Sequence, residues 1–303
     1  MIVITRIKKI RKFKDPVVAL GVFDGLHRGH RNILQAAVKK AKEIKGTSIA
    51  LTFFPHPQKE KSLYSLKHRL RLISELGVDV CIVINFSLSF AKMSAENFIA
   101  KILAKKIRSR FIYIGKNFHF GKGALGDCRL LSTRAKENNF NLKIFKVIKS
   151  NGRLVSSTAI RRLINGGKIK GAERLLGRRV SVLGSVIRGS RIARALGFPT
   201  ANINPHHEVI PPPGIYAVQV IFAAKKYGGI CYIGSRPTVC ARKDHLQIEV
   251  HIFGFHKKIY GRFLEIQFVK LIRRDKKFVS MKDLTVQIKK DIISCRKILQ
   301  RSC

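Results

Sequence analysis

Gly-Val-Phe-Asp-Gly-Leu-His-Arg-Gly-His, residues 21–30, is the stretch on which the fold turns. It overlaps the end of an apolar run, Val-Val-Ala-Leu-Gly-Val at 17–22, which has the character of a buried parallel strand. After it, Ile33, Leu34, Ala37, Val38, Ala41 and Ile44 recur at helical spacing over 31–45, and Gly46 stands as a C-terminal stop. A strand, a tight turn and a helix in direct succession open a doubly wound α/β unit. Gly25 and Gly29 let the main chain pass close to a ligand. The helix then directs its unpaired N–H groups at the turn, where phosphate is favoured.

Working outward, Ser48–Phe54 reads as a second strand, broken by Pro-His-Pro at 55–57. A helix over 65–76, a strand over 80–86, a helix over 94–107 and a strand over 111–114 follow. This alternation predicts a parallel sheet with ligands beyond its strand C-termini, where Gly21–His30 and Gly115–Gly121 fall. After residue 178 the pattern changes to strands at 180–187, 214–222, 227–233, 246–253 and 263–272, separated by Gly/Pro turns. Over 247–253, Gln247, Glu249 and His251 share one face, and Ile248, Val250 and Ile252 the other. Ser280 and Asp283 resemble a capping box for a last helix with the stripe Leu284, Ile288, Ile292, Cys295 and Leu299. The expected class is α/β plus β: a doubly wound domain over 1–178, then a small antiparallel barrel with a C-terminal helix over 179–303.

Charge is the outlying property: 61 Lys and Arg against 17 Asp and Glu give +44 over 303 residues. Such an excess attracts polyanions. The basic residues are spread along the whole chain, however, without an RGG tract, an RNP-like strand or a Cys/His finger. They read as solvated surface, so no specific nucleic-acid partner is expected. Cys81, Cys128, Cys231, Cys240, Cys295 and Cys303 show neither CxxC nor zinc-finger spacing, as fits reduced thiols. Residues 1–14 lack the apolar core of about 7–15 residues that a signal peptide needs. The apolar run 80–91 is too short for a bilayer. A soluble cytoplasmic protein without a membrane partner is expected.

Two phosphate-handling sites emerge from the motifs. His27 and His30 can donate hydrogen bonds to phosphate oxygens and stabilise the charge of a departing pyrophosphate. Adenylyl transfer needs only this and correct placement of the acceptor. Ser157 and Thr158 begin a helix-like stretch and can meet phosphate with their hydroxyls, while Arg161 lies one turn on. Ordinary turn histidines and a plain N-cap with a surface arginine are the competing readings. HxGH with Lys92-Met93-Ser94 resembles a class I aminoacyl-tRNA synthetase, but the latter stretch continues Ala-Glu and no anticodon-binding domain remains. The second site is Gly-Phe-Pro-Thr-Ala-Asn at 197–202. Thr200 and Asn202 offer two hard oxygen donors on one side of an extended segment, suited to Mg²⁺. Gly184 and Gly189 precede them and can fold over phosphates. Glu249 is a candidate base for a hydroxyl that attacks a γ-phosphate. A turn at 199–202 and a solvated strand face at Glu249 compete with these assignments.

With these residues in view, the chain resembles the bacterial bifunctional riboflavin kinase/FMN adenylyltransferase (FAD synthetase) family over essentially its full length. The blocks GVFDGLHRGH (21–30), LTFFPHP (51–57), MSAENF (93–98), IGKNFHFGKGALGD (114–127), VSSTAIRRLI (155–164) and LLGR (175–178) carry the first part. LGFPTANI (196–203), PPGIYAV (212–218), YIGSRPTV (232–239), IEVHIF (248–253) and IYG (259–261) carry the second. The resemblance implies a kinase that makes FMN from riboflavin and a nucleotidyltransferase that makes FAD from FMN, both with ATP and Mg²⁺, for flavoproteins downstream. By position it implies that Phe23, Asp24, His27, His30, Asn117, Ser157, Thr158 and Arg161 handle ATP in the transferase. It likewise implies Gly189, Arg194, Thr200 and Asn202 for ATP in the kinase, with Mg²⁺ on Thr200 and Asn202. Glu249 would be the base on the terminal ribityl hydroxyl. The chain departs from the family pattern at Ala193, where glycine is usual, at Gly254 and His256, where acidic residues are, and at Phe54, in place of an acidic residue.

Overall fold

The computed structural model describes residues 1–57, 62–189, 193, 196–206, 208–235 and 246–301. They pack as two units: Met1–Ser62 with Leu66–Ser157, and Leu63–Ser65 with Thr158–Cys303.

In the first unit, six strands form one parallel sheet in the order β1–β4–β3–β2–β5–β6. They are Ile2–Ile4 (β1), Pro16–Leu20 (β2), Thr47–Phe54 (β3), Val80–Asn85 (β4), Phe111–Gly115 (β5) and Asn141–Phe145 (β6). β2 is buried throughout, which explains its unbroken apolar sequence. The chain runs from β2 out to β3 and β4, then returns to place β5 on the other side of β2. That reversal is a topological switch point, and it opens a crevice at the C-terminal ends of β2 and β5.

The helix Arg28–Glu43 covers the sheet with Ile33, Leu34, Ala37, Val38 and Ala41. Each large aliphatic side chain so buried contributes about 1.5–3 kcal/mol. The helix begins three residues before the expected 31 because His27 itself is its N-cap. Its end also differs from expectation. Lys45 takes the left-handed conformation (φ 50°), and the Gly46 N–H closes on the Ala41 carbonyl at 2.8 Å. Gly46 is bare because a Cβ there would run into the Asp15 carbonyl. Two-residue strands Lys149–Ser150 (β7) and Arg153–Leu154 (β8) form a small hairpin through Asn151 and Gly152.

The second unit holds a closed barrel in the order β10–β13–β12–β11–β14–β9. Its strands are Ser181–Ile187 (β9), Ala201–Asn204 (β10), Gly214–Phe222 (β11), Lys225–Ser235 (β12), Leu246–Ile252 (β13) and Phe263–Arg273 (β14). Every neighbouring pair is antiparallel. On β13, Ile248, Val250 and Ile252 are buried and Gln247, Glu249 and His251 half-buried, as the alternation requires. Barrel closure leaves no open sheet edge.

The helix Met281–Gln300 packs on β11, β12 and β14. Ser280 caps it, accepting from the Asp283 N–H at 3.1 Å and donating to the Asp283 carboxylate at 2.7 Å. Cys295 and Leu299 are buried on its inner face. Arg273 of β14 grips Asp291 with Nε at 3.0 Å and Nη2 at 2.8 Å from Oδ2. Asp291 is almost fully buried, so losing it leaves a cation without its partner. Asp291→Ala is expected to lower the barrel's stability by about 3 kcal/mol, read by denaturant unfolding.

The packing division falls at Ser157–Thr158, whereas the sequence places the boundary at 178/179. Helices Ser157–Asn165 and Ile169–Leu176 lie between the two positions. The second ends on Gly177 at φ 73°, the local stop that marks the sequence boundary. Residues Leu63–Ser65 join the barrel unit through the buried Glu208, whose carboxylate accepts the Ser65 N–H at 2.9 Å and the Leu183 N–H at 3.0 Å.

Candidate active sites

The crevice beyond β2 and β5 has two lobes, of about 430 and 330 Å³. Val22, His30, Asn117, Phe118 and Ser157 line both. The larger lobe is aromatic, with Phe53, Phe86, Phe90, Phe98 and Phe120 in its wall. Their rings meet edge-on or tilted, Phe53 to Phe86 at 6.1 Å and Phe98 to Phe120 at 5.5 Å. The smaller lobe is lined by His27, Gly29 and Lys116 and by residues 154–157. Chemically this lobe suits an anion beside a helix N-terminus, and the larger one suits a flat aromatic ring.

His27 and His30 stack face to face, with centroids 3.7 Å apart and planes 19° from parallel. The His30 N–H donates to His27 Nδ1 at 3.3 Å. An accepting Nδ1 leaves the His27 proton on Nε2, as a donor. Gly29 permits the stack, because a Cβ there would sit 3.2 Å from the His27 ring. Phe23 meets His30 edge to face at 5.4 Å.

The turn that carries these side chains is strained. Phe23 (φ 52°) and Leu26 (φ 39°) are left-handed without being glycine, on either side of Gly25 (φ 76°). Each such residue costs about 1–3 kcal/mol and persists only where its surroundings over-determine it. Here they do. The Val22 carbonyl accepts from Thr52 Oγ1 at 2.7 Å and from Arg69 Nη1 at 2.8 Å. The Asp24 carbonyl accepts from Ser157 Oγ at 2.7 Å. Ser157 therefore lines the cleft with its hydroxyl proton already given to the turn. Asp24 is buried, and Asn117 stands exposed just past β5. Thr158 and Arg161 are on the helix Ser157–Asn165, in the second packing unit.

In the barrel, Asn202 of β10 pairs directly with Glu249 of β13. Thr200 Oγ1 donates to Glu249 Oε2 at 3.0 Å. Gln247 Nε2 donates to Glu249 Oε1 at 2.6 Å and also to Asn202 Oδ1. Thr200 and Asn202 thus form one polar cluster with Glu249, which is 49 positions from Thr200 in sequence. Gly189 lies directly over the Asn202 amide, with no room for a Cβ. Gly184 instead sits inside β9 against Ile203 and Asn204, a packing position. On the kinase reading that the resemblance implies, Gly189→Ala is expected to lower riboflavin phosphorylation about 100-fold by displacing Asn202, with adenylylation of supplied FMN unchanged as the control.

Among the described residues no group of three His, Cys, Asp or Glu is arranged to hold a metal. The cluster nevertheless fits Mg²⁺. Thr200 donates its proton to Glu249 and so keeps both lone pairs, and Asn202 Oδ1 keeps one beyond its bond to Gln247. Arg194 lies outside the described residues, as do Cys240 and Cys303. The Ala193 carbonyl accepts the Phe198 N–H at 2.9 Å.

Two features here carry no sequence motif. Gln247 bridges Asn202 and Glu249, which only the β10–β13 register brings about. Tyr232 faces Glu249 across β12–β13 and donates its phenol proton to Asp275 Oδ2 at 3.1 Å. Burial, then the Asp275 charge, pushes the Tyr232 phenol up to about 12.

The FAD synthetase family profile matches residues 9–159, and the riboflavin kinase profile residues 176–299. The chain is 34% identical over 288 residues to the bifunctional riboflavin kinase/FMN adenylyltransferase of Escherichia coli (strain K12), covering 92% of this chain and 91% of that one. It is 36% identical over 298 residues to the protein of the same name from Buchnera aphidicola subsp. Schizaphis graminum (strain Sg), covering 95% of each. The crystal structure of a macrolide-efflux protein from Streptococcus pneumoniae superposes with a TM-score of 0.84 at 29% identity, over 97% of this chain and 98% of that one. Among the described residues no helix is long and apolar enough to cross a membrane. Profiles match both halves, and relatives match nearly end to end: the chain belongs to the bifunctional riboflavin kinase/FMN adenylyltransferase family.

Proposed function

We propose that residues 179–303 phosphorylate riboflavin at the Thr200–Asn202–Glu249 cluster and that residues 1–178 adenylylate the product in the two-lobed cleft. In the barrel, Glu249 takes the proton of the terminal ribityl hydroxyl, whose oxygen bonds to the γ-phosphorus of ATP as the bond to the β-phosphate oxygen breaks. FMN and ADP result. Thr200 and Asn202 would hold Mg²⁺, which when bound would neutralise phosphate charge. Gln247 and Thr200 hold Glu249 in place from both sides.

In the cleft, the flavin ring of FMN occupies the aromatic lobe and the triphosphate of a second ATP the smaller one. The single observation that carries this is the sharing of His30 by both lobes. An FMN phosphate oxygen attacks the α-phosphorus where the lobes meet, and pyrophosphate leaves. His27 and His30, with the first turn of Arg28–Glu43, stabilise the charge it carries. Asn117, Phe23, Asp24 and Ser157 complete the ATP site, with Ser157 acting through the Asp24 carbonyl; Thr158 and Arg161 are assigned to ATP by the resemblance alone. Supplying FMN and ATP to the purified chain should give FAD without riboflavin; no FAD under those conditions rejects the cleft's assignment.

The +44 charge serves no dedicated nucleic-acid site on this reading. RNA binding, followed by filter retention, is expected to collapse between about 50 and 200 mM salt. Cytoplasmic residence and supply of FMN and FAD to flavoproteins follow from the same reading.

A further inference from the structure

Arg69, on the helix Leu66–Glu75, is among the largest fully buried side chains, at 1% exposure. Main-chain carbonyls hold it: Nη1 donates to Val22 O at 2.8 Å and Nη2 to Phe53 O at 3.3 Å. The Phe54 ring lies 5.9 Å from the guanidinium carbon, so the cation meets a π face there. Burial pushes the Arg69 guanidinium below its usual range, and the Asp24 charge offsets part of that.

The two carbonyls stand where sheet pairing gives out. The β2–β3 ladder ends at Leu20 and Leu51, with one more bond from Gly21 N–H to Leu51 O at 3.1 Å. Past that point no further ladder pair among the described residues joins Val22 to Phe53, and from β3 the Thr52 hydroxyl holds the Val22 carbonyl at 2.7 Å. Val22 leads into the strained turn of Phe23 and Leu26, and both Val22 and Phe53 line the aromatic lobe beside His30. A planar guanidinium can bridge two carbonyls at fixed spacing, which an ammonium cannot reproduce.

We propose that Arg69 is a positioning residue for adenylyl transfer: by tying Val22 to Phe53 it fixes the histidine turn against the aromatic wall, so that acceptor phosphate and ATP meet in line. This rests on the assignment of the cleft given above. Thr52, which shares the Val22 carbonyl, supports the same tie from β3. Neither residue reaches the reacting atoms, so both act through the main chain.

The test uses the full chain with Arg69→Lys, Arg69→Met and Thr52→Val. Turnover and KM for FAD formation are measured beside riboflavin phosphorylation, which reports folding of the barrel. FAD turnover is expected to fall about 100-fold in Arg69→Met, about tenfold in Arg69→Lys and a few-fold in Thr52→Val, with KM for ATP and FMN within about threefold. A merely structural plug would leave turnover per folded site unchanged. Parent-like turnover in Arg69→Lys, or a rise in KM at unchanged turnover, overturns the proposal. Should the Arg69 variants not fold, Thr52→Val decides, and parent-like turnover there overturns it. A parent chain that makes no FAD from FMN removes the cleft's assignment as well, whereas an active parent with unaffected variants removes only the role of Arg69.

Discussion

His30→Ala is expected to reduce FAD formation from supplied FMN by about 10²–10³-fold, while riboflavin phosphorylation stays within about twofold of the parent. The size follows from what the substitution removes. His30 borders both lobes, which on the proposed assignment puts its imidazole beside the pyrophosphate bond that breaks. The cleft is walled by phenylalanines on one side, and a hydrogen bond to developing charge there is worth more than in water. Alanine also frees the face of His27 that now stacks at 3.7 Å, so part of the loss comes from the partner ring. High-performance chromatography of flavins from paired reactions, one with FMN and one with riboflavin, measures both rates. Equal loss of both activities would mean that the two sites are not independent.

Glu249→Gln is the mirror-image case. It keeps the shape of the side chain and removes the proton acceptor, so riboflavin phosphorylation is expected to fall by about 10²–10⁴-fold. FAD formation from supplied FMN should not change. The amide also disrupts one hydrogen bond, since its NH₂ can only donate, and its single oxygen is left to accept where both carboxylate oxygens now accept, from Thr200 and Gln247. Asn202→Ala should give the same split between activities, because it takes away an oxygen of the proposed Mg²⁺ site and Asn202 lines neither lobe of the cleft. Steady-state rates with excess ATP and Mg²⁺ read the effect, and a Glu249→Gln chain that still phosphorylates at the parent rate would contradict the assignment of the base.

Much of this was legible in the sequence because the decisive elements are local. The β2–turn–helix unit spans fewer than 30 consecutive residues, and its apolar run, glycines and helical stripe each have a direct physical meaning. The β13 alternation declared which face carries Glu249. Illegible parts depend on register or on long-range packing. β1 is three residues long, too short to show a period, and sits beside a basic stretch. β6 reads Asn-Leu-Lys-Ile-Phe and is half open to solvent, so its alternation is blurred. β10 carries Pro199 and Asn204 at its margins and looks like a turn until β9 and β13 enclose it. Gln247 acquires its bridge only from that enclosure.

The cations that hold long-range contacts were the least legible. Arg69, which is buried, lies 47 positions from Val22 in sequence, and the half-buried Arg273 lies 18 from Asp291. In a chain with 61 basic residues, nothing in the sequence marks these two out. The histidine cap at the start of Arg28–Glu43 was hidden for a related reason. His27 serves as a cap and as a site residue at once, and the apolar stripe that announces the helix starts only at Ile33.

The most direct test follows phosphorus from ATP into flavin. Riboflavin is given to the purified chain with Mg²⁺ and ATP labelled at either the γ- or the α-phosphorus, and the flavins are separated. Two successive ATP-dependent steps predict γ-label in both FMN and FAD, and α-label in FAD alone. Labelled FMN from α-labelled ATP, or FAD that carries no γ-label, would contradict the account.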